Sequence, residues 1–253
     1  MRELGAIRTS AFDSASCQLI AKAGTLIGDI IATLLPRGWF PIITSGIKFV
    51  TLGGTITADL HGKNHYKDGS FRVCVDWIDP MGPDGKIRQC SRQDDAILFD
   101  HTLGGMGPTG IILRAAICLR RVKIAWIRQT IIVAPNLKAA MAAFEEAQDA
   151  TYSVAWLDCL GTGNNFGSSL VTFGEYAPRK DLSPERAQAP FRVKPKRKLA
   201  VPIDFPALTL NRFTVRGFNA LYYWARARKT GKRLVDWGQL LLPARRGSRL
   251  EIA

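Results

Sequence analysis

The run from Val50 to Phe71, V-T-L-G-G-T-I-T-A-D-L-H-G-K-N-H-Y-K-D-G-S-F, constrains this chain more than any other stretch. Gly53, Gly54 and Gly62 stand among the small residues Thr51, Thr55, Thr57 and Ala58. A paired glycine lets backbone turn tightly and approach a ligand, because no Cβ intervenes. Backbone N–H groups presented in such a turn form an anion-binding concavity. His61, Lys63 and Asn64 then add a titratable ring, a cation and an amide, and His65 a second ring. Turn chemistry calls for glycine and small polar residues, not for H-G-K-N-H. The run predicts a binding loop, with a plain glycine-rich connection as the alternative.

A chain of 253 residues, 47% of them hydrophobic, can bury a sizeable core as one large or two small domains. Cys17, Cys74, Cys90, Cys118 and Cys159 are widely spaced and form no C-x-x-C. Neither zinc nor a disulfide framework is therefore expected, and no metal site is assigned. Isolated thiols predict a reducing, cytoplasmic setting. No apolar run approaches the roughly 18 residues a membrane helix needs, and Met1 to Ser10 lacks the apolar core of a signal peptide. The net charge of +14 is concentrated in Arg192–Lys198 and Arg226–Arg249. Such charge suits nucleic acid, an anionic membrane surface or a phosphorylated ligand, with a solvated surface as the plain alternative. No aromatic–basic stacking platform or DNA-binding motif accompanies it, so a nucleic-acid partner is not expected.

Periodicity predicts a strand over Cys17–Ala23 and a helix over Leu26–Leu35, with Asp29 near its start and Pro36 after its end. A short strand at Phe40–Ile43 precedes the glycine run, and Phe71–Ile78 alternates as a strand. The D-G of Met81–Lys86 signals a hairpin returning through Ile87–Cys90. A short helix over Asp94–Asp100 leads to Gly104–Gly105 and a strand over Gly110–Leu119. Strands at Ala125–Val133, Tyr152–Leu157 and Ser169–Phe173 follow, with a helix over Asn136–Gln148. Leu137, Ala140, Met141 and Phe144 would form that helix's apolar face. Asp181–Lys198 reads as a surface loop and Phe213–Ala227 as a helix. The order predicts an α+β fold.

The pattern T-L-G-G-x-I-x-A-D-x-H-G-K-N-H-x-x-D-G-S-F resembles the flavin-binding signature of the vanillyl-alcohol-oxidase-type FAD oxidoreductases, which share a PCMH-type FAD-binding domain. Within them it is most similar to the decaprenylphosphoryl-β-D-ribose oxidase group, and more loosely to D-arabinono-1,4-lactone oxidases. Leu98–Ala115, L-F-D-H-T-L-G-G-M-G-P-T-G-I-I-L-R-A, resembles the family's second flavin-contacting segment. The resemblance implies a partial FAD-binding domain over residues 1–123 and a partial α+β substrate-binding domain over 124–237. It implies FAD as cofactor, contacted by Gly46, Thr51, Leu52, Gly53, Gly54, Ala58, Asp59 and His61, and by Gly105, Gly110, Ile111 and Ile112. His61, Lys63 and Tyr223 would stand on the substrate side. The implied reaction oxidises a CH–OH group of a sugar, a sugar lactone or a lipid-linked sugar, and a short-chain dehydrogenase partner is implied with it.

The chain also departs from the pattern. The family's R-G-x-G-R-S-Y-G-D-type pyrophosphate loop has no counterpart here, and Ser45, Tyr66 and Pro108 replace its usual residues. After Val235-Asp236-Trp237 relatives read approximately D-S-Y-F-Y-P-L-D, where this chain reads G-Q-L-L-L-P-A-R. A one-base shift of suitable codons converts the first into the second, so residues 238–253 are expected to be an out-of-frame tail. Two expectations therefore compete: an active oxidoreductase, and a non-catalytic truncated fragment of one.

Overall fold

The computed structural model describes residues 11–193, 211–228 and 230–240. They form two compact units. One runs to Ala125 and takes in residues 183–192; the other holds residues 126–182 and the described residues from 193 to 240.

The first unit is an antiparallel sheet with short helices. Its elements are β1 (Ala11–Asp13), β2 (Gln18–Lys22), α1 (Ile27–Leu34), β3 (Trp39–Pro41), α2 (Leu52–Thr57), α3 (His65–Asp68), β4 (Val75–Met81), β5 (Cys90–Ser91), α4 (Ala96–Thr102) and β6 (Ile111–Arg121). The strand order is β1-β2-β6-β4-β5, with β3 also on β6. At eleven residues, β6 is long enough to pair with β2 through Arg114–Cys118, with β4 through Ile111–Ile117 and with β3 through Leu119–Arg121. Helix α1 forms because Ile27, Ile30, Ile31 and Leu34 recur at i, i+3, i+4 and i+7, and all four are buried. Each such side chain contributes about 1.5–3 kcal/mol of transfer free energy before entropy is counted.

The second unit holds β7 (Trp126–Ala134), α5 (Leu137–Glu146), β8 (Tyr152–Leu157), β9 (Ser169–Tyr176), α7 (Arg212–Ala227), β10 (Gly231–Asp236) and α8 (Trp237–Leu240), while α6 (Pro184–Gln188) belongs to the first. Its sheet is antiparallel in the order β10-β7-β9-β8. Helix α5 packs on one face, where Ala140 and Ala143 meet Val171 and Phe173. Ala155 of β8 joins that cluster. The next residue, Trp156, therefore faces the other side, where it meets Tyr222 and Tyr223 of α7. Gly174 leaves room for Leu240 of α8, since a Cβ there would stand 2.2 Å from its Cδ2. Both units are thus mixed helix and antiparallel sheet, an α+β arrangement.

The structure departs from the periodicity in four places. Phe71–Cys74 is a 3₁₀ turn rather than the start of a strand, and β4 begins only at Val75. Its backbone is captured locally, with Arg72 N–H donating to Asp59 Oδ1 and Cys74 Sγ to Phe71 O. The buried face of α5 is Ala140 and Ala143 with Phe144 partly covered, whereas Leu137 and Met141 are exposed. The alanine stripe lets the helix sit close to the sheet, and Phe144 meets Phe173 edge-on at 5.8 Å. The expected surface loop contains α6, while residues 194–198 lie outside the described residues. Strand β10 was not evident from alternation; it pairs with β7 from Gly231↔Ile131 to Asp236↔Trp126. The tail beyond Leu240 lies outside the described residues.

Candidate functional site

The glycine run begins as a loop laced onto α1 and ends as a clamp. Ile27 N–H donates to Val50 O and Leu52 N–H to Thr25 O, forming an antiparallel bridge between Leu26 and Thr51. In a non-hydrogen-bonded pair of this kind the facing residue's own N–H points away from the bridge. That residue is Thr51. Its hydroxyl caps α2 by accepting from Gly54 N–H at 3.1 Å. Gly53 is buried, its N–H given to Ala23 O, and a Cβ there would lie 2.8 Å from the Ala23 Cβ. Gly54 is exposed. The first glycine of the pair thus serves packing and the second presents bare backbone.

Asp59 joins the two glycine segments. It sits in the left-handed region at φ +42°. Its Oδ2 accepts from Ser70 Oγ at 3.0 Å and Arg72 Nε at 2.9 Å, and its Oδ1 from Arg72 N–H at 2.9 Å. Arg72 Nη2 in turn donates to Leu103 O at 2.8 Å. Beyond Leu103, Gly104 N–H donates to Ile56 O and Met106 N–H to Thr57 O. Two stretches some fifty residues apart in sequence are thereby held side by side. Gly104, Met106, Gly107 and Gly110 all take positive φ, as a loop folding back tightly requires.

The H-G-K-N-H turn is anchored from below. Asn64 is buried; its Nδ2 donates to Ile42 O at 2.8 Å and to Asp68 Oδ2 at 2.7 Å. Asp68 also accepts two bonds from Arg120 of β6, at 2.7 and 3.0 Å. Burial raises the Asp68 carboxyl, but the Arg120 and Asn64 hydrogen bonds outweigh it and hold it below the usual carboxylate range. Gly62 is obligatory, since a Cβ would stand 2.5 Å from Thr44 O. His61 and His65 are exposed with ring centroids 5.0 Å apart, and His61 Nδ1 lies 3.4 Å from Gly62 O. Lys63 is half-buried, and burial pushes its ammonium pKa down.

Thr51, Gly54, Ala58, Asp59, His61, Lys63, Gly105 and Gly110 all lie in the first unit. Gly46 is exposed in the same unit, before the bridge. Leu52 and Ile112 have buried side chains, while Ile111 is exposed. Tyr223 lies in the second unit on α7 and donates to Ala134 O at 3.2 Å. Sequence reasoning passed over Arg72, Asp68 and Arg120, whose roles depend on partners 13 and 52 residues away. D-G-S-F was the one signal available for the Asp59 clamp, because it supplies Ser70. No group of metal-ligating side chains occurs among the described residues, and no described helix is long and apolar enough to cross a membrane.

Comparison with known proteins finds the chain similar in sequence to oxidoreductases that fit the FAD-linked oxidase class with a PCMH-type FAD-binding domain. In particular, the chain is 31% identical over 228 residues to decaprenylphosphoryl-beta-D-ribose oxidase of Mycolicibacterium smegmatis, covering 88% of this chain and 48% of that protein. It is 33% identical to the uncharacterized protein in the mprA 5′ region of Streptomyces coelicolor, over 68% of this chain and 46% of that one. A shorter match, 34% identical over 38% of this chain and 19% of the relative, is to cytokinin dehydrogenase 2 of Arabidopsis thaliana. The chain spans about half the length of the first two relatives. No family model matches it.

Proposed function

We propose that this chain carries the flavin-binding core of an FAD-dependent oxidoreductase that oxidises a CH–OH group of a sugar, a sugar lactone or a lipid-linked sugar. The observation that carries the reading is the clamp of Asp59 and Arg72, which sets the glycine run beside the Leu103–Gly107 loop. Gly54 and Gly104 are exposed there without side chains, and the Thr51 N–H points away from its bridge. A cofactor's pyrophosphate needs a donor such as the Thr51 N–H, and the close backbone approach that Gly54 and Gly104 allow, their own N–H groups being given to Thr51 Oγ1 and Ile56 O. The residues present therefore fit FAD. Thr51, Gly54, Ala58, Gly105 and Gly110 would hold it, with Gly46, Gly53 and Ile111 contributing backbone or edge contacts.

FAD, when bound, supplies the hydride acceptor. The chain's own contribution is protonic and electrostatic. His61 is exposed and can hold or pass the carbinol proton. The Lys63 ammonium, destabilised by burial, favours negative charge developing on the substrate oxygen. The second unit is the proposed substrate-binding domain, with Tyr223 as its contribution. Decaprenylphosphoryl-beta-D-ribose oxidase is named for a lipid-linked sugar, which supports that substrate class. Expression of residues 1–253 and a visible spectrum before and after heating test the reading. Stoichiometric flavin released on heating supports it; a colourless protein that takes up no added FAD overturns it.

A further inference from the structure

Both neighbours of Lys63 in the H-G-K-N-H turn are fixed to one ladder of the first unit's sheet. Strand β3 pairs with β6 from Trp39↔Arg121 to Pro41↔Leu119, which sets Phe40 opposite Arg120. Asn64 is buried and donates through Nδ2 to Ile42 O, just past β3, at 2.8 Å. The same Nδ2 donates to Asp68 Oδ2 at 2.7 Å, and Arg120 of β6 holds both oxygens of Asp68. Gly62, on the other side of Lys63, has no room for a Cβ, which would stand 2.5 Å from Thr44 O and 2.6 Å from Asn64 Oδ1. Asn64 Oδ1 is itself buried with no hydrogen-bond partner. The amide is therefore held by its Nδ2 bonds.

Asp68 is the joint between turn and frame. An ion pair that served stability alone would need no link to the turn, yet here the carboxylate's remaining bond goes to the residue beside Lys63. Removing that carboxylate strands a buried amide N–H, and a stranded donor costs more than the lost bond contributed. The turn relieves the cost by opening to water. Lys63 lies between Gly62 and Asn64, so it opens with them. A cation stabilises developing charge only from a fixed place close to it, so the anchor bears on chemistry as well as on folding. Lys63 also reports on the anchor, because burial is what pushes its ammonium pKa down.

We propose that Asp68 and Arg120 are positioning residues for Lys63: through Asn64 they pin the H-G-K-N-H turn to the β3–β6 ladder and so fix where the ammonium stands. What the ammonium serves rests on the flavin reading; that it is held in place does not. The full chain, without cofactor, is reductively methylated with carbon-13 formaldehyde, which keeps the lysine charge. The methyl signals are followed by NMR against pH, and Lys63→Arg identifies the one that belongs to Lys63. In the unaltered chain Lys63 titrates below the ordinary lysine range. Asp68→Ala is expected to raise it toward that range. Loss of a nearby negative charge would by itself lower it, so a rise reports a loosened turn. Arg120→Lys keeps the charge but loses the two-pronged grip, and it too should raise the titration. The double variant D68A/R120K should raise it no further than D68A. Asp181→Ala, which removes the Arg128 ion pair of the second unit, should leave it unchanged. Circular dichroism confirms the fold of each variant, and R120K, the milder change, decides where D68A does not fold. An unmoved or lowered Lys63 in folded D68A, or an unmoved Lys63 in folded R120K, overturns the proposal. So does a rise in D181A as large as in D68A, or a rise in the double variant well beyond it. Failure of the flavin reading shows separately, as no uptake of FAD by the unaltered chain, and leaves these titrations readable.

Discussion

Replacing Asp59 is the sharpest perturbation of the candidate site. Asp59→Ala removes an acceptor for Ser70, for the Arg72 side chain and for the Arg72 N–H. Asp59 and Arg72 side chains are 21% and 41% exposed, so the ion pair is discounted to about 1 kcal/mol. The stranded N–H adds about 1 kcal/mol, and alanine at φ +42° about 1 more. The total is about 3 kcal/mol. Asp59→Gly loses the same bonds but relaxes the backbone, for about 2 kcal/mol. Asp59→Asn tolerates the left-handed φ and retains an acceptor, for about 1 kcal/mol. Because the lost bonds hold the second segment, the assay is amide hydrogen exchange at Gly104 and Met106, which donate to Ile56 and Thr57. Asp59→Ala speeds their exchange about a hundredfold, Asp59→Gly less and Asp59→Asn least. Unchanged exchange in Asp59→Ala, or faster exchange in Asp59→Gly than in Asp59→Ala, refutes the reasoning.

Three further outcomes follow from the same geometry. Asp68 titrates in the fold below its ordinary value of 3.8, so its contribution is complete above the unfolded value and lost as pH falls through the folded one. Asp68→Asn should lower stability by about 2 kcal/mol at neutral pH, given a partly exposed pair, and flatten the acid limb of a urea-midpoint profile. Burial pushes the Cys90 thiol up to about 12 and the Cys118 thiol up to about 11, and it raises Cys74 as well. Alkylation of the native protein near about pH 8 should therefore label exposed Cys159 and spare these three, as read by peptide mass spectrometry. Tyr223→Phe removes the bond to Ala134 O and should cost about 1 kcal/mol in urea denaturation. Unchanged stability would show that the hydroxyl is not a structural anchor.

The sequence by itself determined what is local. It placed the apolar stripe of α1, the Asn136 start of α5 and the aromatic helix α7, because capping and periodicity are written in neighbouring residues. It also identified both glycine segments, whose residue types carry their chemistry. Tertiary structure decided what those residues do. Alternation alone makes Phe71–Cys74 a strand, yet the Asp59 carboxylate captures its backbone in a turn. Periodicity assigns Leu137 and Met141 to the core, yet a sheet close enough to touch takes the alanines. β10 exists as a strand because β7, about a hundred residues earlier, offers an unpaired edge. Gly53 and Gly54 are the same residue type, and only their surroundings make one a packing contact and the other open backbone. Hydrogen-bond partners and burial depend on which distant segments meet, and no window of neighbouring residues contains that information.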